Sequence, residues 1–195
     1  KNSTCLLGFM FTPNTIQLSI APIAWTNDDL PELGGHVPFE QCIDEMATAG
    51  FAGSEIGNKY PKDPAVLKPA LEQRGLQISS AWFSTFFSEN GREEETINAF
   101  SKQMNFLKAL GAKVVNVCEC GHCVQGTSGH VFDRPSYTDQ QWVRVANGLN
   151  RLGGIACDNG MVIAYHYHMG TMVQSAAETD RIMGMTDPDM VHLLV

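Results

Sequence analysis

The sequence lacks any hydrophobic run that could cross a membrane. No apolar stretch in its 195 residues approaches the roughly 20 residues that a spanning helix requires. Basic residues are also scarce, since 13 Lys and Arg stand against 21 Asp and Glu, which gives a formal net charge of −8. An acidic surface does not neutralise nucleic-acid phosphates or bind anionic lipid. We therefore expect neither a membrane nor a nucleic acid as a partner.

The cysteines lack the regular spacing of a disulfide framework. A chain with 44% hydrophobic residues forms a core without covalent links, and its six cysteines then suit reduced thiols in a cytoplasmic protein. The apolar stretch 5–11 is preceded by a single charge at Lys1 and followed by no small-residue cleavage site, so it is a weak secretory signal. We interpret residues 1–15 as a leader and residues 16–195 as a single domain.

Helical and strand patterns alternate along nearly the whole chain, and most of the helices end on a glycine. The patterns predict strands over 16–25, 51–56, 76–83, 113–118, 161–166 and 191–195. They predict helices over 38–50, 63–75, 93–111, 138–160 and 175–187, the first of them with an apolar stripe at Phe39, Cys42, Ile43 and Met46. Pro69 lies inside the second helix and predicts a kink or a later start there. Ser175 and Glu178 form a capping box that predicts the start of the fifth helix.

This alternation predicts a parallel α/β sheet, which is either open and doubly wound or part of a (β/α)₈ TIM barrel. No G-x-G-x-x-G motif follows a strand, which disfavours a dinucleotide-binding domain, and polar residues cluster at one end of the strands, as in barrels. Such barrels take about 250 residues. This sequence stops inside an apolar strand, so we expect a barrel truncated after about six strands.

Two histidines follow the fifth predicted strand, in the segment VIAYHYHMGT. His166 and His168 are two residues apart on an extended segment, so both imidazoles are expected to project to the same side. Two convergent imidazoles suit a divalent metal or a base beside a ligand. The alternative is one structural histidine bonded to the backbone and one exposed histidine.

Other polar or aromatic residues also end strands and are candidates for the same site. Glu119 follows the fourth strand and is expected at the rim, as a metal ligand, a proton shuttle or an ordinary solvated carboxylate. Glu55 ends the second strand, where a substrate contact and a buried structural acceptor are both open. Trp25 and Trp82 end the first and third strands, as core residues or as walls against a sugar ring.

The segment 118–123 has the pattern C-x-C-x-H-C, which is part of the pattern of a zinc site. Structural zinc sites need four well-separated ligands, and this segment is cramped. We therefore favour free thiols over zinc here.

Several segments, in order along the chain, resemble the myo-inosose-2 dehydratase family of inositol catabolism. They are IAPIAWTNDDLPELG, FAGSEIGNKYP, ISSAWFSTFF, YHYHMGT and SAAETDRIMGMTDP. The resemblance runs from about residue 16 to the last residue. It implies a xylose-isomerase-like (β/α)₈ barrel, a divalent metal such as manganese or cobalt, and a glutathione requirement. The implied reaction removes water from 2-keto-myo-inositol, a cyclic polyol ketone, to give a trihydroxycyclohexane dione.

The resemblance also implies roles for individual residues. His166 stands where related sugar isomerases and epimerases place the metal ligand of strand five, and His168 belongs to the same H-x-H-M-G-T motif, as a candidate for proton transfer. Glu119 and Gln125 match the rim after strand four, where Glu119 is expected as acid/base or as a further ligand. The expected substrate contacts are therefore Trp25, Asn27, Glu55, Trp82 and Gln125.

Two departures from the family qualify these roles. The cysteine-rich segment 118–123 is not expected of the family. Family members also continue past strand six with an Asp-Thr-Gly-His segment and later strands that supply most of the remaining metal ligands. One histidine from strand five cannot by itself hold a catalytic metal.

The implied mechanism is abstraction of a proton next to the ketone, with a metal stabilising the enediolate and a base such as His168 or Glu119 taking the proton. A ketose isomerase or epimerase on the same barrel shares this step and is the nearest alternative. A metal-dependent endonuclease is disfavoured by the acidic composition. A binding fragment and an inactive fragment also stay open, as does the oligomeric state, a homo-oligomer included.

Overall fold

Parallel strands and helices alternate along the chain in the computed structural model, which describes residues 16–125, 127 and 129–195. The strands are β1 Ser19–Ile20, β2 Gly53–Glu55, β3 Gln77–Ser80, β4 Trp82–Thr85, β5 Val114–Glu119, β6 Val162–Tyr165 and β7 Val191–Leu193. The α-helices are α1 Phe39–Thr48, α2 Pro64–Glu72, α3 Glu93–Leu110, α4 Asp139–Asp158 and α5 Ala176–Met185. The leader predicted over residues 1–15 lies outside the described residues.

The strands pair in parallel and in chain order, as β1-β2-β3 and β4-β5-β6-β7. β3 and β4 are two parts of one extended stretch, separated by Ala81, whose carbonyl accepts a hydrogen bond from the Asn116 N–H at 3.0 Å. The two sheets therefore continue into one another as an arc of parallel strands with helical crossovers. The α/β class and the parallel arrangement expected of a barrel are confirmed.

The helices bury apolar stripes against the strands. In α1 the stripe predicted at Phe39, Cys42, Ile43 and Met46 is buried. Each fully buried side chain of this size contributes about 1.5–3 kcal/mol to folding. Among the described helices, none combines the length and the apolar composition that a bilayer crossing would require.

The helix ends follow the local signals. The Ser175 hydroxyl accepts from the Glu178 N–H and the Glu178 carboxylate accepts from Ser175, so the predicted capping box is confirmed. Gly111 closes α3 with a φ of 90°, a left-handed conformation that favours glycine.

The strand predicted over 16–25 is wrong beyond its first half. Only Ser19–Ile20 pairs with β2, and the chain then forms a 3-10 helix over Pro22–Ala24. Pro22 has no N–H to donate to a ladder and its ring fixes φ near the helical value, so it ends the strand and starts the turn.

The later start considered for the second helix is also not observed. α2 begins at Pro64, where the Asp63 carboxylate accepts from the Ala65 N–H at 2.8 Å, and it continues through Pro69 to Glu72. Pro69 is exposed and lies in the last turn, so its ring interrupts little of the helix beyond one backbone hydrogen bond.

Candidate active site

The two sides of the strand arc differ in what they carry at the carboxyl ends of the strands. Residues in register on neighbouring strands project to the same side. One side, here called the inner face, carries in register Trp82, Asn116 and Ala164. The other side, here called the helix face, carries in register Phe83, Val117 and Tyr165, all of them buried in the core.

Both histidines lie with Trp82 at the mouth of the inner face. His166 is two residues beyond Ala164 and so keeps its side, and the centroids of the His166 and His168 rings are 5.8 Å apart. The Trp82 ring lies edge-on to both, 5.3 Å from His166 and 5.6 Å from His168. The local period of two, together with the register of β4 and of β6 on their shared neighbour β5, brings these three rings into one cluster.

His166 is held in its neutral form. Burial lowers its pKa, the neighbouring His168 lowers it further, and the Glu55 carboxylate partly opposes both. A neutral imidazole at pH 7 has a free nitrogen lone pair, which is what a metal ligand or a hydrogen-bond acceptor requires.

The orientation of His168 follows from one hydrogen bond. Its Nδ1 lies 3.0 Å from the Met169 carbonyl oxygen. A carbonyl oxygen only accepts, so Nδ1 carries the proton and Nε2 carries the lone pair in the neutral ring. His168 therefore presents Nε2 as its basic atom.

Hydrogen bonds hold the backbone of the segment that carries His168 in place. The Thr171 hydroxyl donates to the His168 carbonyl at 2.7 Å, and the His168 N–H donates to Val173 at 3.0 Å. Arg134 donates to the carbonyls of Thr171 and Met172 at 3.0 Å each. These bonds fix the loop between β6 and α5.

Arg134 also bonds to Glu178 at 2.6 Å, so it joins the long loop after β5 to the first turn of α5. Partial burial raises the pKa of Glu178, but the Ser175 N–H and the Arg134 guanidinium outweigh it and lower that pKa to about 2. Sequence reasoning missed Arg134, because nothing local marks a loop arginine as the partner of a helix 44 residues further on.

A polar network lies deeper on the inner face. Glu55 Oε1 accepts from the Ser80 hydroxyl and from Asn116 Nδ2, both at 2.6 Å. Because a carboxylate only accepts, the amide orientation of Asn116 is determined and its Oδ1 turns away from Glu55. That oxygen is buried and has no hydrogen-bond partner among the described residues. The network therefore has a spare acceptor.

Asn116 is the second residue that sequence reasoning missed. A signal was present, because Asn116 is the single amide side chain in the otherwise apolar run VVNVC of the predicted strand. A buried polar residue in an otherwise apolar strand needs a partner, and here the partners are on β2 and β3.

Glu119 lies on the helix face, away from the histidines. It is fully buried and accepts five hydrogen bonds. The donors are Thr85 Oγ1 at 2.7 Å, Phe87 N at 3.0 Å, Ser88 N at 3.2 Å, Ser88 Oγ at 2.8 Å and Gly121 N at 3.0 Å. Burial raises its pKa, and the hydrogen bonds from Thr85, Ser88 and Phe87 oppose the rise. Glu119 ends β5 and so lies at the rim where it was expected, but it is buried rather than solvated, and its side chain turns away from the inner face because residue 119 has the same parity along β5 as the core residue Val117.

Trp25 and Asn27 use their polar atoms within the first loop. Trp25 Nε1 donates to the Glu45 carboxylate of α1 at 2.6 Å. Asn27 Oδ1 accepts from the N–H groups of Asp29 and Leu30, both at 2.9 Å, and so forms an Asx turn. Neither residue bonds to the histidines in the part of the chain that the structure describes.

Gln125 links two loops at the mouth. Its Nε2 donates to the Asp29 carboxylate at 3.3 Å, which connects the long loop after β5 to the first loop. The N–H of the preceding Val124 donates to the Gly170 carbonyl at 3.0 Å, so the same loop also contacts the segment that carries His168.

A metal is not accommodated by these side chains alone. Within residues 16–125, 127 and 129–195, no three His, Cys, Asp or Glu side chains converge in an arrangement that would hold a metal ion. His166 contributes one nitrogen ligand on the inner face, with Glu55 close enough to influence its pKa. The described residues therefore supply part of a ligand set.

Comparison with known proteins gives consistent relationships. The chain is 54% identical over 187 residues to inosose dehydratase 2 of Bacillus cereus (strain ZK / E33L), covering 95% of this chain and 62% of that protein. It is 59% identical over 182 residues to the inosose dehydratase of Lacticaseibacillus casei, covering 92% of this chain and 61% of that protein. The chain therefore spans about three fifths of the length of these relatives.

A solved structure shares the fold at lower identity. The xylose isomerase-like TIM barrel protein from Mycobacterium smegmatis, in complex with magnesium, superposes with a TM-score of 0.68 at 16% identity, covering 94% of this chain and 65% of that chain. Residues 43–195 match the sequence family described as xylose isomerase-like TIM barrel. Together with the arc of parallel strands in chain order, this match shows that the chain belongs to the xylose isomerase-like TIM barrel family.

Proposed function

We propose that the protein containing this chain removes water from 2-keto-myo-inositol, as part of inositol catabolism. The observation that carries the proposal is the inner-face cluster, in which His166, His168 and Trp82 meet within 5.8 Å between ring centroids. The relatives named inosose dehydratases, at 54% and 59% identity, support the same substrate. We place the protein in the cytoplasm on the strength of the irregular spacing of its cysteines.

His168 is the proposed proton carrier. Dehydration breaks a C–H bond next to the ketone, and the electron pair becomes an enolate. The β C–O bond then breaks, and the hydroxyl leaves as water once it receives a proton. His168 Nε2 takes the first proton and supplies the second, because an imidazole exchanges protons near neutral pH.

The rest of the inner face binds and orients the polyol. Trp82 offers an aromatic surface to the apolar face of the ring. Glu55 and the spare Asn116 Oδ1 accept hydrogen bonds from substrate hydroxyls. Trp25, Asn27 and Gln125 act indirectly, by holding the loops around the mouth.

A divalent metal, manganese or cobalt, is part of the proposal, with His166 as one ligand. When bound, such an ion polarises a ketone and lowers the cost of forming the enolate. The described side chains do not complete its coordination. Because the chain spans 62% of the B. cereus relative, we propose that the other ligands come from the region that this chain does not match.

Glu119 is proposed as a structural anchor rather than as an acid or base. Its five donors occupy the lone pairs that a proton transfer would need. Its side chain also lies on the face opposite to the substrate cluster.

The test is product analysis with 2-keto-myo-inositol and added Mn²⁺ or Co²⁺. Dehydration gives a conjugated dione that absorbs in the ultraviolet, whereas an isomerase or epimerase gives a sugar isomer that does not. We expect His168→Ala to lower the rate of dione formation by about 10²–10³-fold. His36→Ala, at an exposed histidine, is the matched control and should keep the unsubstituted rate. Wild-type turnover by His168→Ala, or an isomer as the product, would overturn the proposal.

A further inference from the structure

The chain reverses direction directly after β5, and this turn carries two cysteines. The Cys123 N–H donates to the Cys120 carbonyl at 3.2 Å, which is the i to i+3 hydrogen bond of a β-turn. Such a turn holds its first and last Cα atoms within about 7 Å. Disulfides bridge Cα atoms about 4.4–6.8 Å apart. The backbone therefore already holds the two Cα atoms at a separation that a disulfide can bridge, and the two thiols are close enough to influence each other's acidity.

Buried contacts hold this turn in place. The Gly121 N–H donates to Glu119 Oε1 at 3.0 Å, and the Tyr137 hydroxyl donates to the Gly121 carbonyl at 2.7 Å. A Cβ atom at position 121 would lie 2.1 Å from Ser88 Oγ, so the turn packs closely on the loop after β4. A turn that is ordered before reaction loses little conformational entropy when its two sulfurs join.

The three neighbouring thiols differ in burial. All three are unpaired, with Cys118 buried and Cys120 and Cys123 partly exposed. A small oxidant therefore reaches Cys120 and Cys123 before Cys118.

The three thiols also differ in acidity. A hydrogen bond from Cys118 is the largest of the effects that lower the pKa of Cys120, and the Ser84 hydroxyl adds to it. The same bond to Cys120 raises the pKa of Cys118, and burial raises the pKa of Cys123. Cys120 is thus the thiol best suited to ionise and react first.

We propose that Cys120 and Cys123 form a peroxide-reactive dithiol that closes to an intramolecular disulfide beside the candidate active site. With hydrogen peroxide, the Cys120 sulfur attacks one oxygen and the O–O bond breaks. The other oxygen keeps its own proton, takes up the proton that Cys120 released, and leaves as water. Cys120 becomes a sulfenic acid. The Cys123 sulfur then displaces its oxygen, forming the S–S bond, and the oxygen leaves as water with the Cys123 proton. With hydrogen peroxide, two thiols and one peroxide give one disulfide and two waters.

The disulfide would lie next to the substrate cluster. Cys120 lies beside Ser84, whose hydroxyl accepts from Trp82 Nε1 at 2.8 Å. Val124, the next residue after Cys123, donates to Gly170 in the segment that carries His168. Oxidation therefore takes place at the wall of the candidate active site, and this modification does not depend on which reaction the site performs.

The experiment treats the reduced, folded protein with hydrogen peroxide and locates the products by tandem mass spectrometry. We expect the segment containing residues 118–123 to lose two hydrogen atoms and to carry a Cys120–Cys123 link. In Cys123→Ser the reaction should stop at a Cys120 sulfenic acid, which dimedone traps. In Cys120→Ser the oxidation of this segment should slow by at least about tenfold.

Cys157→Ser is the matched control, because it removes an exposed thiol outside the turn and should leave disulfide formation unchanged. A far-ultraviolet circular dichroism spectrum checks that each variant is folded. If Cys120→Ser misfolds, the dimedone adduct in Cys123→Ser still decides the matter. A link to Cys118 instead of Cys123, an absence of the two-hydrogen loss, or equal oxidation rates in Cys120→Ser and the unsubstituted protein would overturn the proposal.

Discussion

Glu55 and Glu119 both end a strand, yet the two faces of the sheet give them opposite surroundings. Glu119, on the helix face, accepts five hydrogen bonds through both carboxylate oxygens. Glu55, on the inner face, accepts two through Oε1, and the neighbouring Asn116 has a spare acceptor. Residue type and strand-end position are therefore insufficient to identify a reactive carboxylate. What distinguishes the two faces is the number of lone pairs still available to a ligand.

The most direct way to sharpen this comparison is to make the same change on both faces. Glu119→Gln replaces one carboxylate oxygen by an NH₂ group, which donates hydrogen bonds and cannot accept them. The protein donors that bonded to that oxygen then have no acceptor. We expect the free energy of unfolding to fall by about 3–5 kcal/mol. Glu55→Gln keeps an acceptor oxygen for Ser80 and Asn116 and should cost under about 1 kcal/mol. Urea unfolding monitored by circular dichroism measures both.

Glu72→Ala is the control for this pair, because Glu72 is exposed and its removal should change stability by less than about 0.5 kcal/mol. Equal losses for Glu119→Gln and Glu55→Gln would show that the two faces do not differ in the way described.

A second effect concerns the support of the His168 segment. Glu178 has a pKa of about 2 in the folded protein against an ordinary value of 4.5, so the unfolded chain binds its proton first as the pH falls. The stabilisation is present above about pH 4.5 and is lost as the pH falls toward 2. Between pH 7 and pH 3 we expect about 2 kcal/mol of unfolding free energy to be lost through this group.

Glu178→Gln removes that proton uptake. Its unfolding free energy should therefore fall less steeply below pH 4.5 than that of the unsubstituted protein. The measurement is urea unfolding at a series of pH values, and parallel curves for the two proteins would contradict the lowered pKa of Glu178.

The smallest expected effect is on the inner face, where spare acceptors bind substrate rather than stabilise the fold. Asn116→Ala should raise the KM for the cyclic polyol ketone by about tenfold and change kcat less, because it removes one buried acceptor for a substrate hydroxyl. Asn105→Ala, at an exposed position on α3, is the matched control. An unchanged KM with intact folding would remove Asn116 from the site.

Local patterns predicted much of the fold correctly. The alternation of strand and helix, the apolar stripe of α1, the glycine end of α3 and the capping box of α5 all depend on residues within a few positions of one another. The prediction of the first strand was wrong beyond Ile20, because Pro22 ends the hydrogen-bonded pairing with β2 although its neighbours in sequence are apolar.

The sequence by itself determined the parallel α/β fold and the side-by-side projection of His166 and His168, since helix periodicity, capping and strand alternation are short-range properties. Only the tertiary structure decided which face of β5 packs against the helices, and hence that Glu119 anchors loops. It also decided that Asn116 meets Glu55, 61 residues away in sequence. The physical reason is that hydrogen-bond saturation depends on partners that the fold brings together from distant strands and loops.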